Sequence, residues 1–317
     1  MIAKLYLSMI LCYSVTASAK TINVLRDGHI YFGNGTNQRS LEVSATLPEA
    51  EGAYSRILMN LSLDCPAGGC DWWDRKASVG VVHEDGGEVE IMRFLTPYRV
   101  GANWQLDVTD LQPLLSGEVR FRIFIDTWVG PGHPQGDGWL VSLGFEYKEG
   151  ERQGPRPLAV IPLMAAESVE YGNPSAESGR VAEVNLPDKS SAARVWIYVT
   201  GHGQGNSENC AEFCPKRHSF FLNDIERSKT IWRDDCAATV THGLQQGTWT
   251  YSRAGWCPGD MVTPWQVVVP TEQLSSGILT VRWQPQPYTN ERADDYNNNG
   301  HTKPYYQVSA LLIVYRP

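Results

Sequence analysis

A chain of 317 residues, 42% hydrophobic and 20% charged, holds enough apolar material for two ordinary domains or one large β protein. Its net charge of −8, with no basic run anywhere, argues against nucleic acid and anionic membrane as partners. Eleven tryptophans are many for core packing alone, and the surplus is typical of exported proteins that stack on sugar rings.

At the N-terminus, Lys4 precedes an apolar stretch from Leu5 to Val15, and Ala17-Ser18-Ala19 places small residues at −3 and −1. This pattern predicts a secretory signal peptide over residues 1–19, cleaved before Lys20, and a soluble mature protein, secreted or periplasmic, of charge −9 once Lys4 is gone. Cys12 follows Leu11 rather than a small residue, which does not suit a lipid anchor. No stretch approaches 18 uninterrupted apolar residues, so membrane insertion is not expected. Loss of Cys12 leaves six cysteines, an even number suited to an oxidising compartment. Proximity suggests the pairs Cys65–Cys70, Cys210–Cys214 and Cys236–Cys257, among the 15 pairings that six cysteines allow.

From residue 20 onward the dominant signal is period-two alternation bounded by Gly, Pro, Asn and Asp, which reads as antiparallel β. Ile57, Met59, Leu61 and Leu63 alternate with more polar neighbours, as do Val119, Phe121, Ile123 and Ile125. Glu149 to Pro157 has no hydrophobic content and carries proline and glycine, so it predicts a linker between domains at 20–150 and 151–317. Beyond it, Val195, Ile197 and Val199 alternate, then Leu279, Val281 and Trp283, and finally Val308, Ala310, Leu312 and Val314.

The two halves repeat each other. Arg56-Ile-Leu-Met-Asn-Leu-Ser leads through Cys65 and Cys70 to a strand after Asp74, and Arg194-Val-Trp-Ile-Tyr-Val-Thr leads through Cys210 and Cys214 to a strand after Lys216. Ser116-Gly117 and Ser276-Gly277 each precede a later strand. The offset grows from 138 residues (Arg56 to Arg194) to 160 (Ser116 to Ser276), which predicts an insertion in the second half at about 224–250. A repeat of this size is a duplicated domain. The expected fold is all-β: two antiparallel β-sandwiches of jelly-roll type, side by side, each of about eight strands.

Duplication gives the two cysteine loops a common meaning. Asp74 follows Trp72-Trp73 and opens a strand after the first loop, while Glu212 lies between the cysteines of the second, where a bridge would stiffen it. An acid in either place is ordinarily a solvated rim residue. Matching positions in paired domains make a shared cleft the more economical reading. Asp126 and Trp128 share a face at the end of a strong strand, and Arg253-Ala-Gly-Trp256-Cys257 offers a guanidinium suited to orienting a carboxylate. Asp295-Tyr-Asn-Asn-Asn-Gly300 mimics the start of a calcium loop but has Tyr306 where a bidentate glutamate belongs, so a polar turn is expected. The histidines form no H-x-H or H-x-x-x-H pair, and no metal or cofactor is expected.

At Cys70-Asp-Trp-Trp-Asp-Arg75, Arg93-Phe-Leu-Thr-Pro-Tyr-Arg-Val-Gly101, Cys210-Ala-Glu-Phe-Cys214 and Arg253-Ala-Gly-Trp-Cys-Pro-Gly259 the chain resembles the bacterial secreted peptide-N-glycosidase F family, with weaker similarity over most of residues 40–317. The resemblance implies a pair of eight-stranded jelly rolls with the site at their interface. It implies hydrolysis of the amide joining N-acetylglucosamine to asparagine, on N-linked glycoproteins or glycopeptides; a monomer is expected. It makes Asp74 the principal catalytic acid and Glu212 the second, and it places Arg75, Arg253, Trp73 and Trp256 along the cleft. Asp126 is expected as a third catalytic acid and stands where the family has glutamate, its carboxylate set back by about 1.5 Å. His202 stands where a member has tryptophan, and Trp128 completes the expected sugar contacts. A glycoside hydrolase using the same carboxylates, a glycan-binding protein without turnover and a copper monooxygenase are the rival readings. The missing histidine pair argues against the last.

Overall fold

The computed structural model describes residues 19–49, 54–173, 179–240, 245–291 and 301–316. The expected signal peptide, apart from Ala19, and the calcium-like stretch from Asp295 to Gly300 lie outside the described residues. Nine strands form the first half: β1 (Ala19–Gly33), β2 (Thr36–Gln38), β3 (Ser40–Leu47), β4 (Tyr54–Asp64), β5 (Lys76–Val82), β6 (Glu88–Leu95), β7 (Ala102–Asp107), β8 (Gly117–Ile125) and β9 (Trp139–Glu149). Eight form the second: β10 (Arg156–Glu170), β11 (Arg180–Asn185), β12 (Ala192–His202), β13 (Lys216–Leu222), β14 (Ile225–Ile231), β15 (Trp265–Val269), β16 (Ile278–Pro285) and β17 (Tyr305–Arg316). Helix is confined, among the described residues, to a 3-10 segment over Thr109–Leu114 and single turns at Cys236–Thr239 and Thr271–Leu274.

The first half packs the sheet β2-β1-β9-β4-β7 against β3-β8-β5-β6, and the second packs β10-β17-β12-β15 against β11-β16-β13-β14. With the short β2 set aside and each half numbered from one, both halves give the same two orders, 1-8-3-6 and 2-7-4-5. First pairs with last, second with seventh, third with sixth and fourth with fifth. That is one long antiparallel hairpin rolled into two facing sheets, the jelly-roll solution to the edge problem.

Alternation produces these sheets directly. In β8, Val119, Phe121, Ile123 and Ile125 are buried while Arg120 and Arg122 face out to Glu42, Glu88 and the His83 carbonyl. Each large apolar side chain so buried contributes roughly 1.5–3 kcal/mol. β12 and β17 break the rule, being buried almost residue by residue. In β17, Val308, Ala310, Leu312 and Val314 join the core of the second sandwich, while Leu311, Ile313 and Tyr315 join that of the first. In β12, Val195, Ile197 and Val199 face inward and Trp196 faces across. The sheet β10-β17-β12-β15 is therefore a middle layer between two cores, and strands covered on both faces read as nearly continuous apolar runs. An ion pair lies in this contact: Arg93 donates to Glu90 at 2.8 and 2.6 Å and reaches the Gln307 carbonyl at 2.7 Å.

The insertion sits later than expected. Ile225–Ile231 is β14, the counterpart of β6, and the extra chain follows it at 232–264. β14 is an edge strand with exposed, mostly polar residues, so it carries no alternation to read. The inserted chain covers the β6 edge through Leu95 N to Asp260 O, Gly259 N to Leu95 O and Val262 N to Arg93 O, at 2.8–3.1 Å. A free edge is thereby blunted, and the inserted chain is brought over the junction of the sandwiches.

Candidate active site

The turn before β5 is built around Asp71, a fully buried acid. Its carboxylate accepts from Arg75 Nε at 2.7 Å and Nη2 at 3.2 Å, from Thr127 Oγ1 at 2.6 Å and from the Trp73 amide at 3.1 Å. Thr96 Oγ1 accepts from the Arg75 amide at 2.8 Å and donates to the Trp73 carbonyl at 3.1 Å. The strand begins at Lys76, so Asp74 lies in this pinned turn rather than at the strand's first position. A disulfide joins Cys65 to Cys70 just before it.

Glu212 lies in the β12–β13 connection, inside the Cys210–Cys214 bridge. Its amide donates to Gly203 O at 3.0 Å and its carbonyl accepts from Ala254 at 2.8 Å, so the backbone is tied to β12 and to the inserted chain. The third bridge, Cys236–Cys257, closes that inserted chain.

Arg253 brings the acids together. Its guanidinium is 1% exposed. Nε donates to Glu212 at 3.2 Å, Nη2 lies 3.7 Å from Asp74 Oδ2, and Nη1 donates to the carbonyls of Thr248 and Tyr251 at 2.9 Å. It lies over the Trp256 ring, 4.8 Å from its centre. Tyr98 reaches from the first half to Thr248 Oγ1 at 3.3 Å and hydrogen-bonds Asp74.

Burial raises the pKa of Asp74, and the Arg253 charge and the Tyr98 bond oppose it. Burial raises Glu212 to about 7, the Asp74 charge adds to this, and Arg253 opposes it. His202 is held neutral: burial pushes its pKa well down, helped by Lys76 and Arg93. It stacks between Trp256 and Tyr305, centres 5.4 and 5.3 Å away, with Nε2 at 2.8 Å from Thr200 Oγ1.

These residues line an open cleft of about 270 Å³: Asp74, Arg75, Asp126, His202, Glu212 and Trp256 meet there, with Lys76 and Tyr305. Asp126 sits on the wall with Oδ1 taken by Arg39 Nη1 at 3.0 Å. Trp73 and Trp128 are not among the lining residues. Trp73 is 49% exposed, its indole NH on Gln135 at 3.2 Å, because its backbone is held by Asp71 and Thr96. Trp128 is 52% exposed and stands behind Arg39, whose guanidinium lies 4.4 Å from its ring centre. Trp256 is largely buried, its NH on the Gly201 carbonyl at 2.8 Å, so only part of it meets the cleft. A larger hollow of about 440 Å³ beside Trp232 and Trp265 contains neither Asp74 nor Glu212. Among the described residues no group of three or more His, Cys, Asp or Glu could hold a metal.

Sequence reasoning passed over Asp71, Lys76, Tyr98 and Tyr305. Asp71 leaves a trace, an acid four residues before Arg75 in a tight loop; the others leave none, since they act through partners remote in the chain.

Two family profiles match in order: one described as peptide-N-glycosidase F, N terminal, over residues 82–143, and one described as its C terminal over 170–313. The peptide-N(4)-(N-acetyl-beta-D-glucosaminyl)asparagine amidase F of Elizabethkingia miricola is 28% identical, over 94% of this chain and 84% of its own length. A crystal structure of such an amidase superposes with a TM-score of 0.82 at 27% identity, covering 94% of this chain and 96% of that one. PNGase F, a glycosylasparaginase from Flavobacterium meningosepticum, gives 0.80 at 26% identity with the same coverage. PNGF-II, at 18% identity and a TM-score of 0.72, shares the fold over 94% of this chain and 65% of its own.

Proposed function

The chain belongs to the peptide-N-glycosidase F family, and from that membership and the geometry of the cleft we propose how it works as a glycoamidase. It hydrolyses the amide between an asparagine side chain and N-acetylglucosamine, leaving aspartate in the peptide and releasing the glycan as a glycosylamine. The observation that carries the site assignment is Arg253, which holds Asp74 and Glu212, acids from different sandwiches, at one cleft.

An amide carbonyl is a weak electrophile, so water must be activated and the developing oxyanion stabilised. Asp74 removes a proton from water as its oxygen bonds to the carbonyl carbon. The C–N bond then breaks and the same proton passes to the leaving nitrogen. Glu212, ionised, holds the water or the leaving amine by a hydrogen bond. Arg75 gives Nε and Nη2 to Asp71 and, among the described residues, leaves Nη1 without a protein acceptor, so this edge serves the oxyanion. Arg253, fully engaged with carboxylates and carbonyls, orients the acids and does not touch substrate. Asp126, paired with Arg39, serves as a sugar acceptor rather than an acid. Trp73 and Trp128, outside the cleft wall, suit sugar units farther along the glycan.

We take the mature enzyme to be exported after cleavage before Lys20, which the three disulfides support. We take its halves, 20–150 and 151–317, to be the two domains, a division supported by sheets that, among the described residues, each draw their strands from one half. A monomer suffices, because one chain supplies both acids. The test is digestion of a defined N-glycopeptide with mass analysis of both products. Intact glycan with bare aspartate is the expected result. N-acetylglucosamine retained on asparagine indicates a glycosidase, and binding without turnover a lectin; either overturns the reading.

A further inference from the structure

Three cations line the cleft, and two are committed. Arg75 is locked on Asp71, and Lys303 pairs with Glu170 at 2.7 Å. Lys76 is different: among the described residues its ammonium makes no hydrogen bond and no ion pair within 4 Å, and it lies 4.7 Å from the centre of the Tyr305 ring. Asp126 is its neighbour across the sheet edge, the Asp126 amide donating to the Lys76 carbonyl at 2.9 Å. Yet the Asp126 carboxylate turns to Arg39 through Oδ1, and among the described residues Oδ2 takes no protein donor. One wall thus presents a donor with no hydrogen-bond acceptor, an acceptor oxygen with no donor, and an aromatic ring.

Sugars fit that set. Neighbouring oxygens on a pyranose edge can accept from an ammonium and donate to a carboxylate, while ring C–H groups lie on an aromatic face. A peptide carboxylate would satisfy the ammonium but would meet Asp126 as a like charge. A role in the fold alone leaves the ammonium with only the Tyr305 ring and, among the described residues, Asp126 Oδ2 with no protein donor. Burial lowers the Lys76 pKa, with Asp126 opposing and Arg93 assisting, as expected of an ammonium partly removed from water.

We infer that Lys76 is a substrate-contacting residue: its ammonium donates to a hydroxyl or acetamido oxygen of the glycan core, and a neighbouring hydroxyl donates to Asp126 over the Tyr305 ring. This rests on the glycoamidase reading for the identity of the sugar.

The experiment compares the mature wild-type protein with Lys76→Met, which keeps the stem over Tyr305, and Lys76→Arg, which keeps the charge. N,N′-diacetylchitobiose is titrated calorimetrically, and kcat and KM are measured on a glycopeptide. A hydrogen bond to a charged group is worth enough that Lys76→Met should bind chitobiose about 10- to 100-fold more weakly. KM should rise in parallel, kcat should stay within about threefold, and Lys76→Arg should recover part of the affinity. Chitobiose affinity unchanged within about twofold in Lys76→Met, or no binding by the wild type, overturns the inference. So does a fall in kcat with affinity intact, which places Lys76 in the chemical step instead of in glycan binding. If Lys76→Met does not fold, Lys76→Gln is judged by the same criteria. A wild type that binds chitobiose without hydrolysing glycopeptide sinks the glycoamidase reading, while the titration still decides Lys76.

Discussion

Two half-buried carboxylates beside one guanidinium titrate as a pair, and the rate should follow. Because Glu212 ionises only near 7 and Asp74 is also raised, kcat/KM should climb as pH rises through about 7. Glu212→Gln should be slower and should lose most of that climb; a variant with the wild-type profile would remove Glu212 from the mechanism. Stability runs the other way. The folded Glu212 binds its proton more tightly than its unfolded value of 4.5, so between about 4.5 and 7 the folded state holds more protons and stability falls as pH rises. Glu212→Gln lacks that slope. Relative to wild type it should gain on the order of 1–3 kcal/mol between pH 5 and pH 8, read from urea melts at both. Asp74→Asn should lower kcat by about 10²- to 10⁴-fold while chitobiose still binds. The acids were legible because cysteines flag their loops and the repeat pairs them. Tyr98 and Lys76 were not, since a tyrosine in a Thr-Pro-Tyr turn and a lysine opening a strand acquire meaning only from Asp74 and Tyr305 across the fold.

At the scale of elements, the inserted chain does two jobs at once. It covers the edge of β6 and carries Arg253 to the acids. Cys236–Cys257 closes this segment across 21 positions, and removing it frees a loop of that size in the unfolded chain. The double variant Cys236→Ser/Cys257→Ser should lose roughly 3 kcal/mol in denaturant melts. Its activity should fall further than the unfolded fraction explains, because Arg253 loses its frame; full specific activity in the folded fraction would show that the bridge serves stability alone. The strands that bury one face were readable from alternation. β14 was not readable, because an exposed edge strand such as Ile-Glu-Arg-Ser-Lys-Thr-Ile has no buried face to impose a pattern.

For the whole molecule, the middle sheet makes the two sandwiches one cooperative unit. Calorimetry of the mature protein should show a single transition, and two resolved transitions would mean that the shared face contributes little. Arg93→Met leaves Glu90 buried without its partner and should cost about 3–5 kcal/mol. The duplication and the side-by-side sandwiches were legible in the repeated motifs. The face joining them was also written in the chain, at Trp196, Tyr198, Leu311, Ile313 and Tyr315, apolar residues between those that alternate. Alternation alone accounts for a sandwich, and only a second covered face explains the residues in between.

That shared layer also sets how the enzyme can change. Asp74 rides on one sandwich and Glu212 on a loop of the other, so their separation depends on how the sandwiches pack as well as on Arg253 between them. A substitution that changes the volume at Leu311 or Ile313, which pack into the core of the first sandwich from a strand of the second, is expected to shift one sandwich against the other and with it the spacing of the acids. The geometry of the site therefore has a mechanical handle in the packing between the sandwiches, remote from the cleft itself.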